Sequence, residues 1–598
     1  MNQLFLASGV WALFLVAPTV SLAQQDPSST DGPKMEGNPP PTYGQPAYPQ
    51  PAYPQPAYPQ QAYPQPTYPQ QAYPQPPYPQ PAQSAVPQPP APDPGQDANP
   101  TPQETPLSGS AGDAKWTFSA SNDAAKQALS DCMDAMDHFR SDLVRQQCGL
   151  ALEKDDKLRL AHALLSQVTP PRAKKKHIEA AKNATGQVTE GERLFAEGML
   201  ALAEDQRQVA RAAFFALAAL QPNEKRVYHY RGLIRLRFGD LDGAEADFRK
   251  TLELDAKFGP AHNALGFVLL RREKFEDAAK SFAKYVELAP KEANAHDSMA
   301  AFFLRKGDLG PAVESARKAV ETDGKFLRGR LRFGDALLLQ GNPIQARKEY
   351  QLVLSSPDPR EHFDAALHVA WSRLYEGVGI PTTKALQDAE KDLVAEADLA
   401  KKLLRRADQA TALASVARLQ LERGALVEAG KTVSAFRELL SAKDEEPPAD
   451  ASDKAATTFA VEERIRLTVE LHWLRALLLQ AVGEREWAGE QADAIEKVQR
   501  GKPGQRAAED LRGELSARAG NRQVTVNHLT ATERPQSRFA LALALGGGKP
   551  GEQLDLPKAR TLMEELSRRS VVDLEGALTR GRARLWLKQN PAQKNDAK

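Results

Sequence analysis

Residues able to do covalent or metal chemistry are few and scattered in this 598-residue chain. None of the ten histidines lies in a His-Glu-x-x-His pair, the spacing that sets two imidazoles on one helix face around zinc. His362 and His368 stand six apart, which places them on different faces of the helix predicted there. Gly546-Gly547-Gly548-Lys549 offers the backbone amides and ammonium of a phosphate loop. Pro550, however, replaces the hydroxyl that would hold magnesium, and Leu543 stands where the first glycine is needed. No Gly-x-Ser-x-Gly elbow occurs. Two cysteines are too few for a disulfide-stapled scaffold or a cysteine-rich zinc protein. The sequence therefore predicts no catalytic set, no metal site, no cofactor and no enzymatic activity.

Charge points away from nucleic acid as a partner. Lys and Arg number 78 against 77 Asp and Glu, a formal net charge of +1, where a nucleic-acid binder concentrates a basic surplus. The balance is uneven: residues 500–598 hold 19 basic and 11 acidic side chains. Arg568, Arg569, Arg580, Arg582 and Arg584 in that stretch are a candidate surface for anionic headgroups or an acidic partner, or simply solvated helix faces.

The first 120 residues differ in kind from the rest. Residues 4–17 are apolar except for Ser8 and Gly9, and Ser21 and Ala23 supply the small residues of a signal-peptidase site cutting between Ala23 and Gln24. The stretch is short for a membrane span, and the first three residues carry no Lys or Arg. Residues 1–23 are read as a signal peptide, with an uncleaved N-terminal anchor as the alternative. The expected location is exported, periplasmic or outer-membrane associated. Of 45 prolines, 27 lie between Pro27 and Pro106, and residues 46–80 repeat a Tyr-Pro-Gln pentapeptide seven times. Such proline density prevents helix and sheet, so residues 24–120 are expected to be disordered. They would serve as a spacer or as a Pro/Tyr tail that binds a cell-wall polymer.

Beyond residue 120 the chain repeats with a 34-residue period. Units starting at 191, 225, 259, 293 and 327 carry small residues at position eight (Gly198, Gly232, Gly266, Ala300, Gly334) and alanine at position twenty. Position twenty-four is aromatic in four of the five units (Phe214, Phe248, Phe282, Tyr350), with Ala316 the exception. Gly239, Gly307 and Gly341 recur at position fifteen. Small residues let two antiparallel helices approach, an aromatic fills the space between them, and glycine ends a helix. This pattern resembles the tetratricopeptide repeat family.

The resemblance implies an all-α solenoid of antiparallel helix pairs, with five full units over 191–360. Degenerate repeats are expected at 121–190 and 361–443, a linker at 444–455, and further repeats with a capping helix over 456–598. It also implies protein or peptide binding along a groove lined by the first helix of each unit. Carried onto this chain, the groove positions are Arg226, His229, Arg237, Asn263, Phe267, Arg271, Asn294, Asp297 and Arg305. Arg237, Arg271 and Arg305 would form a ladder able to receive a carboxylate. Laid on the same register, Cys132 takes position eight and Cys148 position twenty-four, facing each other across one unit, so either a disulfide or two buried thiols is implied.

Overall fold

The computed structural model describes residues 118–591 except 187, 357, 377–379, 445–458, 548–553 and 569–571. The signal and tail segments, including Ala23 and Gln24, and most of the linker lie outside these residues. Among the described residues there are 25 α-helices and no strand. No helix among them is long and apolar enough to cross a membrane.

The first four helices are α1 (Asp123–Asp137), α2 (Ser141–Lys154), α3 (Arg159–Val168) and α4 (Pro171–Asn183). Five regular pairs follow: α5 (Glu190–Ala203) with α6 (Arg207–Leu220), α7 (Lys225–Arg237) with α8 (Leu241–Leu254), and α9 (Gly259–Arg271) with α10 (Phe275–Leu288). The last two are α11 (Ala293–Lys306) with α12 (Leu309–Thr322), and α13 (Leu327–Gln340) with α14 (Pro343–Val353). Longer helices come next: α15 (Pro359–Leu374), α16 (Thr383–Lys402), α17 (Arg406–Glu422) and α18 (Leu426–Ser441). The C-terminal set is α19 (Val461–Ala481), α20 (Arg485–Val498), α21 (Lys502–Arg518), α22 (Arg522–Leu529), α23 (Pro535–Gly546), α24 (Leu556–Ser567) and α25 (Leu574–Gln589).

One size rule organises the pairs. A Cβ added to Gly198 would lie 2.3 Å from the Phe214 ring, at Gly232 2.7 Å from Phe248, at Gly266 2.8 Å from Phe282, and at Gly334 2.3 Å from Tyr350. All four aromatics are fully buried, so the small residue on the first helix makes the seat for the ring sixteen residues later. In the unit lacking an aromatic, Ala316 stands at this position with Ala300 in place of glycine, and both are sealed from water. Cys132 and Cys148 occupy this position pair in the first unit, and the structure joins them as a disulfide with 5.2 Å between their Cα atoms. The rule also uncovers a unit with no obvious signature in the sequence: Gly513 on α21 seats Leu529 on α22, with a Cβ–Cδ2 approach of 2.3 Å.

The turn between paired helices is equally regular. Gly239, Gly307 and Gly341 adopt φ of 83°, 89° and 104°, and Gly424, Gly483 and Gly520 do the same in later units. In the two regular units without glycine, Asp205 (φ 57°) and Glu273 (φ 59°) take the same left-handed conformation. The pair geometry thus overrides the preference of an L side chain, which disfavours that region by about 1 kcal/mol or more.

The chain does not simply run outward. Ala577 and Leu578 of α25 are buried in one cluster with Phe363, Leu367 and Ala370 of α15 and with Ala412 and Val416 of α17. Arg580 Nη2 donates to the Leu339 carbonyl at the end of α13 (3.1 Å), and Arg582 pairs with Glu422 at 2.9 Å. The terminal helix therefore does more than cover the last pair: it returns to the middle of the array. Arg207 on α6 likewise pairs with Glu462 on α19, 255 residues away.

Candidate functional site

The groove positions lie on the first helices of the pairs, α7, α9 and α11, and the structure divides them by environment. Arg226 is already occupied, its Nε donating to Asp137 Oδ2 at 2.6 Å while Asp134 takes the other side of the guanidinium. Asp137 is buried and also accepts from the Tyr230 hydroxyl at 2.9 Å. Burial pulls the Arg226 guanidinium down, but Asp137 more than offsets it and the net direction is up. The end of α1 thus covers the start of α7.

His229 and Phe267 are corrections to the groove assignment. His229 is fully buried, its ring 5.2 Å from that of Phe258 and 6.5 Å from that of Phe139, and neither ring nitrogen has a hydrogen-bond partner. Burial, then the charges of His138 and Arg226, lower its pKa to about 3, so the ring is neutral. Phe267 packs edge-on against Phe282 with centroids 4.9 Å apart and belongs to the core. Asn263 is buried with its Oδ1 unpartnered. Asn294 donates to the Tyr285 hydroxyl at 3.1 Å, and Asp297 accepts from Arg332 Nε at 2.5 Å in a buried pair. These positions serve the array itself.

The arginine ladder is only partly assembled. Arg305 pairs with Glu273 at 3.2 Å. Arg237 and Arg271, by contrast, line one cleft of about 410 Å³ with Arg207, Gln208, Arg211, Phe238 and Gly239. Arg207 and Arg211 come from the first two turns of a second helix, a place the groove positions do not cover. Asp205 lies 3.3 Å from Arg207 and 4.0 Å from Arg237. Burial lowers the pKa of Arg237 and the nearby Arg207 charge adds to that, against the pull of Asp205. Burial alone lowers that of Arg271.

Two other clusters were invisible in the sequence. His162 and His177 meet with their Nδ1 atoms 3.0 Å apart, one ring donating to the other, and burial followed by the charge of His162 lowers His177 to about 4. A smaller cleft of about 130 Å³ holds Ser356, His362, Glu396, Arg405 and Asp408. There His362 Nδ1 meets the Leu354 carbonyl at 2.7 Å and its Nε2 lies 3.3 Å from Glu396, while Ser356 Oγ donates to Glu361 at 2.7 Å. Serine and imidazole are thus directed to different partners and do not form a nucleophile–base pair. Among the described residues no group of three or more His, Cys, Asp or Glu could hold a metal ion.

The 34-residue helix pairs, their sixteen-residue seat and their left-handed turn define the class: an all-α solenoid of tetratricopeptide-type repeats. No family model matches the sequence, and no curated protein matches it. Solved structures similar to parts of the chain include YrrB, described as a TPR protein with an unusual peptide-binding site (19% identity, 30% of this chain and 92% of that one, TM-score 0.25). A tetratricopeptide repeat protein from Parabacteroides merdae aligns at 12% identity over 46% of this chain and 92% of its own, with a TM-score of 0.29. PilW, described as a type IV pilus biogenesis factor, aligns at 14% identity over 39% of this chain and 94% of its own, with a TM-score of 0.26. The class rests on the repeats themselves rather than on these partial alignments.

Proposed function

We propose that this protein is a non-enzymatic scaffold that binds other proteins in the bacterial cell envelope and supports assembly of an envelope machine such as a secretion, pilus, motility or cell-wall complex. The observation that carries this reading is the series of arginines in the last turns of successive first helices, Arg237, Arg271 and Arg305, of which two open into one cleft. Helix packing accounts for the other strong sequence signals, and a solenoid of this kind presents repeated side chains to an extended partner. The envelope location rests on the apolar stretch at residues 4–17 and the Ser21/Ala23 processing signature. A periplasmic chaperone holding one client would use the same surfaces.

Crosslinking pull-down from envelope fractions, comparing the full chain with one lacking residues 38–106, tests this reading. Recovery of the same defined protein set with both places function in the array. Recovery of wall polymer alone, lost with the Tyr/Pro segment, overturns the scaffold in favour of a wall-binding structural protein.

A further inference from the structure

We propose that His162 on α3 and His177 on α4 form a binding site for a divalent transition-metal ion of the zinc or copper type. The two imidazole Nδ1 atoms are its protein ligands, and the remaining positions are open to water or to a donor from a second molecule. The structure brings the rings together across the α3–α4 pair, with Nδ1 to Nδ1 at 3.0 Å and ring centroids at 5.3 Å. The fifteen-residue separation matches none of the short ligand spacings, so the sequence reading predicts no metal site here. The scaffold reading uses neither residue.

The repeat itself orients His162. On the 34-residue register it takes position four of the unit beginning at 159, the place held by His262 and His296 in the units beginning at 259 and 293. In both of those units the ring Nε2 meets the carbonyl six residues earlier, Ala256 or Pro290, at 2.9 Å. His162 makes the same bond to the Asp156 carbonyl. Because its Nδ1 is turned to His177, the donor to that carbonyl is Nε2–H, and Nδ1 is left with its lone pair. A backbone carbonyl on the far ring nitrogen is how metal-binding histidines commonly have their tautomer fixed and their basicity raised. Among the described residues, only the His162 ring adds a second imidazole to this arrangement.

The spacing suits such an ion. With metal–nitrogen bonds of about 2.0–2.1 Å at tetrahedral angles, two imidazole nitrogens stand roughly 3.3 Å apart and their ring centroids roughly 5.2 Å apart. The centroids are already at that spacing, and a small side-chain rotation opens the nitrogens to it. Both residues are half-buried, so an ion reaches the pair from solvent. Burial lowers the pKa of both rings, that of His177 to about 4, so they are neutral as metal ligands must be. The charge that bears on His162 is that of Asp156, and it favours a cation. Without metal, the hydrogen on His177 Nδ1 joins the pair. With metal, that hydrogen passes through solvent to His177 Nε2, and no net proton is released. Imidazole suits zinc, copper and nickel, with Cu2+ bound most tightly of the three.

Isothermal titration calorimetry of the full chain with zinc chloride tests the assignment. One saturable site per chain is expected, with affinity reduced at least tenfold in His162→Gln and in His177→Gln. His262→Gln removes a position-four imidazole that faces no second ring, and zinc affinity is expected to be unchanged in it. X-ray absorption of the zinc-loaded native chain reads the site without any substitution, and two imidazole nitrogens at about 2.0–2.1 Å are expected. No binding by the native chain, undiminished affinity in either His162→Gln or His177→Gln, or an equal loss in His262→Gln overturns the site. Fewer than two imidazoles in the absorption spectrum overturns it as well, whether or not the variants fold.

Discussion

His229 shows at the scale of one residue how a groove position becomes a core position. It sits on the first helix where the resemblance implies an inner wall, yet Phe139 from a preceding unit and Phe258 at the end of its own unit close over it. Phe139 lies outside the repeat that contains it, so spacing inside one unit could not reveal the full burial. The consequence is measurable. Its folded pKa of about 3 lies below the ordinary 6.5, so between those values the unfolded chain binds a proton that the folded chain refuses. Stability must therefore fall as pH falls through that window, by about 2 kcal/mol for this group between pH 7 and pH 5. Urea unfolding of the native chain and His229→Leu over that range should show the variant losing less stability by this amount. At pH 7 the variant should be no less stable, because it buries no unsatisfied ring nitrogen. Parallel pH curves would contradict the burial. Arg237 and Arg271 were legible because they recur with the period, whereas Arg207 and Arg211 were not, since they begin a second helix and reach the cleft from a different side.

Between helices, the sequence was most informative where two positions had to be read together. Small residues at position eight and aromatics at twenty-four are expected to face each other across a unit, and the structure makes them one contact. That is why Ala300 with Ala316, and Gly513 with Leu529, belong to the series although neither shows the aromatic. Cys132 and Cys148 are its covalent version, on α1 and α2. Their bond closes a loop with a sequence separation of 16, which should stabilise this unit by about 3 kcal/mol. Cys132→Ala/Cys148→Ala is expected to raise hydrogen exchange in α1 and α2 and to leave α19–α21 unchanged, because the stacked helices pass stability mainly to their neighbours. Unchanged exchange in α1 and α2 would mean that helix packing alone holds the first unit.

Over the whole molecule, the period predicts a linear stack and the structure adds contacts that no period encodes. The return of α25 to α15 and α17 joins segments about 200 residues apart through a few apolar side chains and arginines. Such a contact has no local signature, since α25 reads from its sequence as an ordinary basic terminal helix. Leu578→Ala should cost about 2–4 kcal/mol and should accelerate exchange in α15 as well as α25. Acceleration confined to α24 and α25 would show that the return carries no stability. The basic character of residues 500–598 is partly explained here, because Arg580 and Arg582 are committed to Leu339 and Glu422 and do not form a free surface. The central claim is that the helical array binds partners, with the cleft lined by Arg237 and Arg271 as the contact surface. The most direct measurement places a photoreactive amino acid at Gln208 in the cleft, or at Lys318 on the exposed face of α12, and analyses the adducts formed in envelope preparations. The account predicts discrete protein adducts from position 208 and none of the same adducts from position 318. The same adducts from both positions, or none from position 208, would contradict it.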